Sequence, residues 1–115
     1  MAIRRERADR KPLRTAMIEL ESHLGEIFTV KEWADHMGYS RYYFSRKVKK
    51  KFGKSPKDLL TEMKLQKVKQ QIQEDPEAIG YHIATEVGFP NERSLYKFLA
   101  IKIGLTLSSL QDLLL

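Results

Sequence analysis

Apolar residues recur along this chain at intervals of three and four, the period of a helix with one buried face. Behind Pro12, Leu13, Ala16, Met17, Leu20 and Leu24 fall at i, i+3, i+4, i+7 and i+11, and Gly25 follows. This predicts an amphipathic helix that opens on a proline, whose missing N–H costs nothing in a first turn. Val30, Trp33, Ala34 and Met37 predict the buried face of a second helix over Val30–Met37. Thr29 and Glu32 have the spacing of a capping box, and Phe28 is placed to staple onto Trp33. Phe44, Val48 and Phe52 stripe a third helix, which Ser40 caps and Gly53 closes. Ser55, Pro56 and Asp58 open a fourth, striped by Leu59, Leu60, Met63, Val68 and Ile72. It extends to about Gln73, roughly 27 Å at 1.5 Å per residue. Asp75-Pro76-Glu77 carries the same cap, proline, acid order and predicts the start of a helix holding Ile79, Ile83, Ala84 and Val87. Gly80 weakens that helix by about 1 kcal/mol relative to alanine. Asn91 caps a helix with Leu95, Leu99 and Ile103, closed by Gly104, and Thr106 caps a last short one from Leu107 to about Leu113.

The pattern repeats itself. Ala34-x-x-x-Gly38 returns as Ala84-x-x-x-Gly88, fifty residues on. Trp33 and Tyr39 are answered by Ile83 and Phe89. Phe44, Val48, Phe52 and Gly53 are answered by Leu95, Leu99, Ile103 and Gly104, with one extra residue in the second turn. A small alanine admits a close helix crossing, a glycine permits the sharp turn, and a capped helix follows. The prediction is an all-α fold of seven helices, in which two helix-turn-helix units are joined by a long central helix. Residues 1–11 form a basic arm or linker remnant, 12–73 the first unit with the linker helix, and 74–115 the second unit.

Charge separates the two copies. The chain has 115 residues, 42% hydrophobic and 31% charged, with a formal net charge of +6. Residues 1–73 carry a net +9 and residues 74–115 a net −3. A polyanionic partner is therefore expected mainly at the first unit. Opposite the Phe44–Val48–Phe52 stripe lie Arg41, Tyr42, Ser45, Arg46, Lys49 and Lys50, with no acid among them. A helix anchored on one side and basic on the other is what the DNA major groove admits.

The residues Ser40-Arg-Tyr-Tyr-Phe-Ser-Arg46 with Phe52-Gly53, and Ile83-Ala-Thr-Glu-Val-Gly-Phe89 followed by Gly104-Leu-Thr106, resemble the DNA-binding domain of AraC/XylS-type transcriptional regulators. The resemblance covers about residues 13–112. It implies two recognition helices entering successive major grooves of double-stranded DNA. The first would present Arg41, Tyr42, Ser45, Arg46 and Lys49, the second Asn91, Glu92, Arg93, Tyr96 and Lys97. Ala100 stands where the family usually has a basic residue, and with Ile101 it leaves the second recognition helix poor in charge. The first unit is therefore expected to dominate. Members usually also carry a sensing or dimerisation domain, which is expected to be missing from this chain.

Arg46 and Arg41 are the first candidates for base reading, since a guanidinium bridges O6 and N7 of guanine. Tyr42 suits a thymine methyl or a phosphate. Lys49 and Lys50, nearer the helix end, suit the backbone, which supplies affinity rather than specificity. In the second unit Arg93 is the leading base reader, and Asn91 pairs with adenine unless capping consumes it. Two helices on one spacer predict two unlike boxes about one DNA turn, roughly 34 Å, apart.

Enzyme chemistry is not expected. His23, His36 and His82 read as scattered, without a partner at ligand spacing, and no phosphate loop or nucleophile motif occurs. No metal or other cofactor is expected. With no cysteine there is no disulfide framework or thiolate metal site. No apolar run approaches the ~18 residues of a membrane span, so a cytoplasmic, nucleoid-associated protein is expected. The alternative reading makes the second unit a protein-binding surface for RNA polymerase or a partner chain, with Phe98, Ala100 and Ile101 as its apolar area.

Overall fold

The computed structural model describes residues 10–115, so most of the expected basic arm lies outside the described residues. Among them are seven α-helices: α1 Ala16–Ser22, α2 Val30–Met37, α3 Arg41–Phe52, α4 Pro56–Glu74, α5 Gly80–Val87, α6 Glu92–Ile103 and α7 Leu107–Leu113. The chain forms two compact units, the first ending at Glu62 and the second running Met63–Leu115. The division falls inside α4.

The first unit is built round Trp33. Its side chain is fully buried, with Ala16, Leu20, Met37, Phe44 and Val48 also at 0% exposure. A buried indole must still place its N–H; here Nε1 donates to the Ala16 carbonyl at 3.2 Å. Phe44 packs edge-on against the indole, with ring centroids 5.1 Å apart. The capping box forms as expected. The Thr29 hydroxyl accepts from the Glu32 N–H, and Glu32 Oε1 accepts from the N–H groups of Phe28 and Thr29. The expected staple does not bury its residue: Phe28 is 40% exposed, and Ile27 is the buried residue ahead of the cap. Val30 is only half-buried.

The helix expected from Pro12 to Leu24 is shorter and flanked by tight turns. Leu13–Thr15 and Leu24–Glu26 are 3-10 segments on either side of α1. Ahead of them, Arg10 and Lys11 pack on the unit. The Lys11 N–H donates to Met37 O at 2.9 Å, and the Tyr39 hydroxyl donates to Lys11 O at 2.7 Å. The Arg10 guanidinium lies 4.7 Å from the Tyr39 ring centroid.

The second unit buries Val68, Ile72, Ala78, Ile83, Ala84, Val87, Leu95, Leu99 and Leu110. Its charged anchor is Lys64, 4% exposed, whose ammonium donates to the carbonyls of Val87 and Gly88 at 2.9 and 2.7 Å. It lies 5.1 Å from the Phe89 ring centroid. A cation at the last carbonyls of α5 meets the negative end of that helix.

Asp75-Pro76-Glu77 does not open α5. The Asp75 N–H still bonds Gln71 O at the end of α4, and its side chain accepts from the Glu77 N–H at 3.2 Å. The aspartate folds the local chain into a turn instead of capping a helix. α5 starts only at Gly80, so Ile79 is 65% exposed and Ala78 takes its place in the core.

The repeat is present in the backbone. Gly38 and Gly88 both turn left-handed, at φ 86° and 93°, a conformation costly for residues with a Cβ. After each, the next N–H returns to the alanine carbonyl: Tyr39 to Ala34 at 2.9 Å and Phe89 to Ala84 at 2.8 Å.

Candidate nucleic-acid interface

α3 delivers its polar face by burying the other. Phe44 and Val48 are at 0% exposure, and Ser40 Oγ caps the helix by accepting from the Tyr43 N–H at 3.2 Å. Arg41, Tyr42, Arg46, Lys49 and Lys50 are exposed and Ser45 half-buried. All six expected residues of the first unit therefore lie on one solvent-facing helix without an acidic neighbour in it. Tyr42 is 74% exposed, and the Arg46 guanidinium lies 5.6 Å from its ring centroid. Such a contact restrains a long side chain and leaves its N–H donors for a partner.

Beside this face is a cluster that the sequence reading missed. Tyr43 stacks on Tyr39, with ring centroids 5.6 Å apart. Arg10 and Lys47 lie 5.6 and 5.4 Å from the Tyr43 ring centroid. Tyr39, Tyr43 and Lys47 stand four residues apart, so their common face was readable; the approach of Arg10 across 33 positions was not.

α6 presents its counterpart differently. Asn91 caps the helix, its Oδ1 accepting from the Ser94 N–H at 2.8 Å, so the acceptor needed for adenine is engaged. The Tyr96 hydroxyl donates to Glu92 Oε2 at 3.1 Å. Burial, and then the bond to Glu92, push the Tyr96 phenol above its ordinary pKa. Arg93 and Lys97 are exposed on the same helix. With Tyr96 and Ala100 they line an open groove of roughly 700 Å³, to which Gly104 and Leu105 to Ser108 also contribute. The residue pattern does not mark Leu105 to Ser108 as part of the groove, because their approach depends on how the chain turns at Gly104.

The histidines need correcting. His82 is exposed, but His23 and His36 are not scattered. Their ring centroids are 4.4 Å apart. His36 Nε2 is 2.8 Å from Glu19 Oε1, and His23 Nε2 is 3.7 Å from the same oxygen. The hydrogen bond with His36 holds the Glu19 carboxyl below its ordinary pKa. Glu19 and His23 are one helical turn apart, a spacing visible in the sequence; His36 joins them only because α1 packs on α2.

Two turns of the same construction, each leading from a short helix into a capped longer one, define a double helix-turn-helix protein. The family model described as a helix-turn-helix domain matches residues 33–112. The chain belongs to that family, of the AraC type, whose members are transcription regulators and not enzymes. Among curated relatives, an uncharacterised HTH-type transcriptional regulator, YobQ of Bacillus subtilis (strain 168), is 29% identical over 86 residues. That match covers 75% of this chain but 35% of the relative's length. The fold is similar to the C-terminal domain of AraT, a response regulator from Geobacillus stearothermophilus, with TM-score 0.75 and 22% identity over 88% of this chain and 84% of that one. It is also similar to the DNA-binding domain of the global transcriptional factor AdpA, solved in complex with a target DNA, with TM-score 0.70 and 24% identity over 90% and 92%. Among the described residues no helix is long and apolar enough to cross a membrane.

Proposed function

We propose that this chain binds double-stranded DNA in a sequence-specific way, as the DNA-reading part of a transcriptional regulator, and that α3 carries most of the binding. The observation behind this is the contrast between the two recognition helices. α3 offers Arg41, Tyr42, Arg46, Lys49 and Lys50 to solvent with no acid in the helix. α6 spends Asn91 on its own cap, ties Tyr96 to Glu92, and leaves Arg93 and Lys97. Arg46 and Arg41 read guanine edges, Lys49 and Lys50 hold phosphates, and Ser45 and Tyr42 fill the space between. Arg93 and Lys97 add a weaker second box.

The DNA complex of AdpA supports the DNA reading in kind, since that domain has the same fold. The direct test is selection from a random double-stranded library with the purified chain. A strongly constrained box beside a weakly constrained one supports the proposal. Two equally constrained boxes would remove the dominance of α3, and no enriched sequence would remove DNA reading.

A second reading has its own observation. In the second unit Ile79, Tyr81 and Ile101 are 65%, 64% and 65% exposed, which suits a surface for RNA polymerase or a partner chain better than one for DNA. A selection that returns a single box, with the second unit dispensable for it, favours this reading.

A further inference from the structure

We propose that Glu19, His23 and His36 form a binding site for a borderline divalent transition metal ion, with Zn²⁺ as the natural occupant. Among the described residues this is the one group of three whose ligand atoms converge, a carboxylate oxygen and two imidazole nitrogens all within 4.8 Å of one another. The donor set decides the class of ion. Two imidazoles and a carboxylate suit Zn²⁺, Ni²⁺ or Cu²⁺, while Mg²⁺ and Ca²⁺ prefer oxygen alone. Ligands at about 2.0–2.2 Å from Zn²⁺ subtend separations near 3.3 Å in a tetrahedron. The separations of 2.8 and 3.7 Å from Glu19 Oε1 to His36 Nε2 and His23 Nε2 bracket that value, and the remaining pair of nitrogens lies within 4.8 Å. Water completes the coordination.

Three further features favour a site over a simple hydrogen-bonded pair. Glu19 and His23 stand at i and i+4, the spacing that aims two ligands from one helix face. His23 directs Nε2 at Glu19 while Nδ1 lies 3.8 Å from Glu26 Oε1. At 3.8 Å this is too long for a hydrogen bond, but a closer approach would give a metal-bound imidazole its usual outer carboxylate. The ligands are also open to entry, with side-chain exposures of 25%, 41% and 24% for Glu19, His23 and His36. Glu19 and His23 belong to the α1 side of the unit and His36 to α2, one residue before Met37 and the Gly38 turn. An ion here would clamp α1 to the helix that supports α3. Metal binding to the folded form alone stabilises it by mass action.

The test is calorimetric titration of the untagged full chain with Zn²⁺, paired with thermal melts. The expected result is one ion per chain, a melting temperature raised by Zn²⁺ but not by Mg²⁺, and affinity cut at least about tenfold by His23→Ala. His36→Gln keeps a hydrogen-bond donor toward Glu19 and guards against mere misfolding, with helicity checked by circular dichroism. It should lower affinity in the same way, while His82→Ala should leave it unchanged. Absence of Zn²⁺ binding below about millimolar concentration, or binding unaltered by both His23→Ala and His36→Gln, would overturn the proposal.

Discussion

The Tyr96 hydroxyl lies where a side chain on Gly80 would be: a methyl group built on Gly80 would come within 2.2 Å of that oxygen and within 3.0 Å of the ring. Gly80 looked in sequence like a weak point of a helix. It stands instead at the first position of α5, where a missing Cβ lets an α6 side chain settle. Gly80→Ala should push Tyr96 out, breaking its bond to Glu92. The Tyr96 pKa, now raised, should fall back toward the ordinary tyrosine value in a spectrophotometric titration. An unchanged titration would mean that the contact does not hold the phenol.

The same phenol gives a pH dependence of stability. Its pKa is raised in the folded chain, so the unfolded chain releases the proton first as pH climbs past the ordinary value of about 10. The stabilising contribution is complete below that value and is lost as pH rises through the folded one. Tyr96→Phe should flatten the alkaline decline of the melting temperature and leave its acid side alone. Tyr96 is 42% exposed overall, but its hydroxyl end packs over Gly80, so the effect should be small and confined to that limb.

Lys64 is a long cation buried to satisfy two carbonyl oxygens, Val87 O and Gly88 O. Lys64→Met keeps most of the volume and removes the donors. Leaving buried acceptors unmet costs about 1–3 kcal/mol. Denaturant unfolding should show that loss, whereas Lys67→Met, at a half-buried position on the same helix, should cost less. Equal losses would deny Lys64 its special role.

Lys50 is exposed near the end of α3, and in the proposed reading it holds phosphate rather than a base edge. Lys50→Ala should weaken binding to all DNA sequences alike and reduce the slope of log affinity against log salt by about one. A loss confined to one sequence would make Lys50 a base reader.

How much could be read from sequence follows from how local each cause is. The capping box of Thr29 and Glu32, the turns at Gly38 and Gly88, and the buried stripe of Phe44 and Val48 rest on neighbours within a turn or two, and all are present. So is the outward face of Arg41, Arg46 and Lys49, because burial of one side fixes the other. Asp75 misled because an aspartate before proline serves a turn as readily as a cap, and only the end of α4 decides between them. Arg10 against Tyr39, Lys64 beneath Val87, and His36 beside Glu19 depend on contacts across 17 to 29 positions. Periodicity carries no record of these.

The proposed dominance of α3 in DNA reading is tested most directly by comparing Arg46→Ala with Arg93→Ala on the selected DNA site at fixed salt, by fluorescence anisotropy. Arg46→Ala should cost about 1–3 kcal/mol of affinity and relax one base position, with Arg93→Ala costing clearly less. Equal losses, or a larger one at Arg93, would contradict the account.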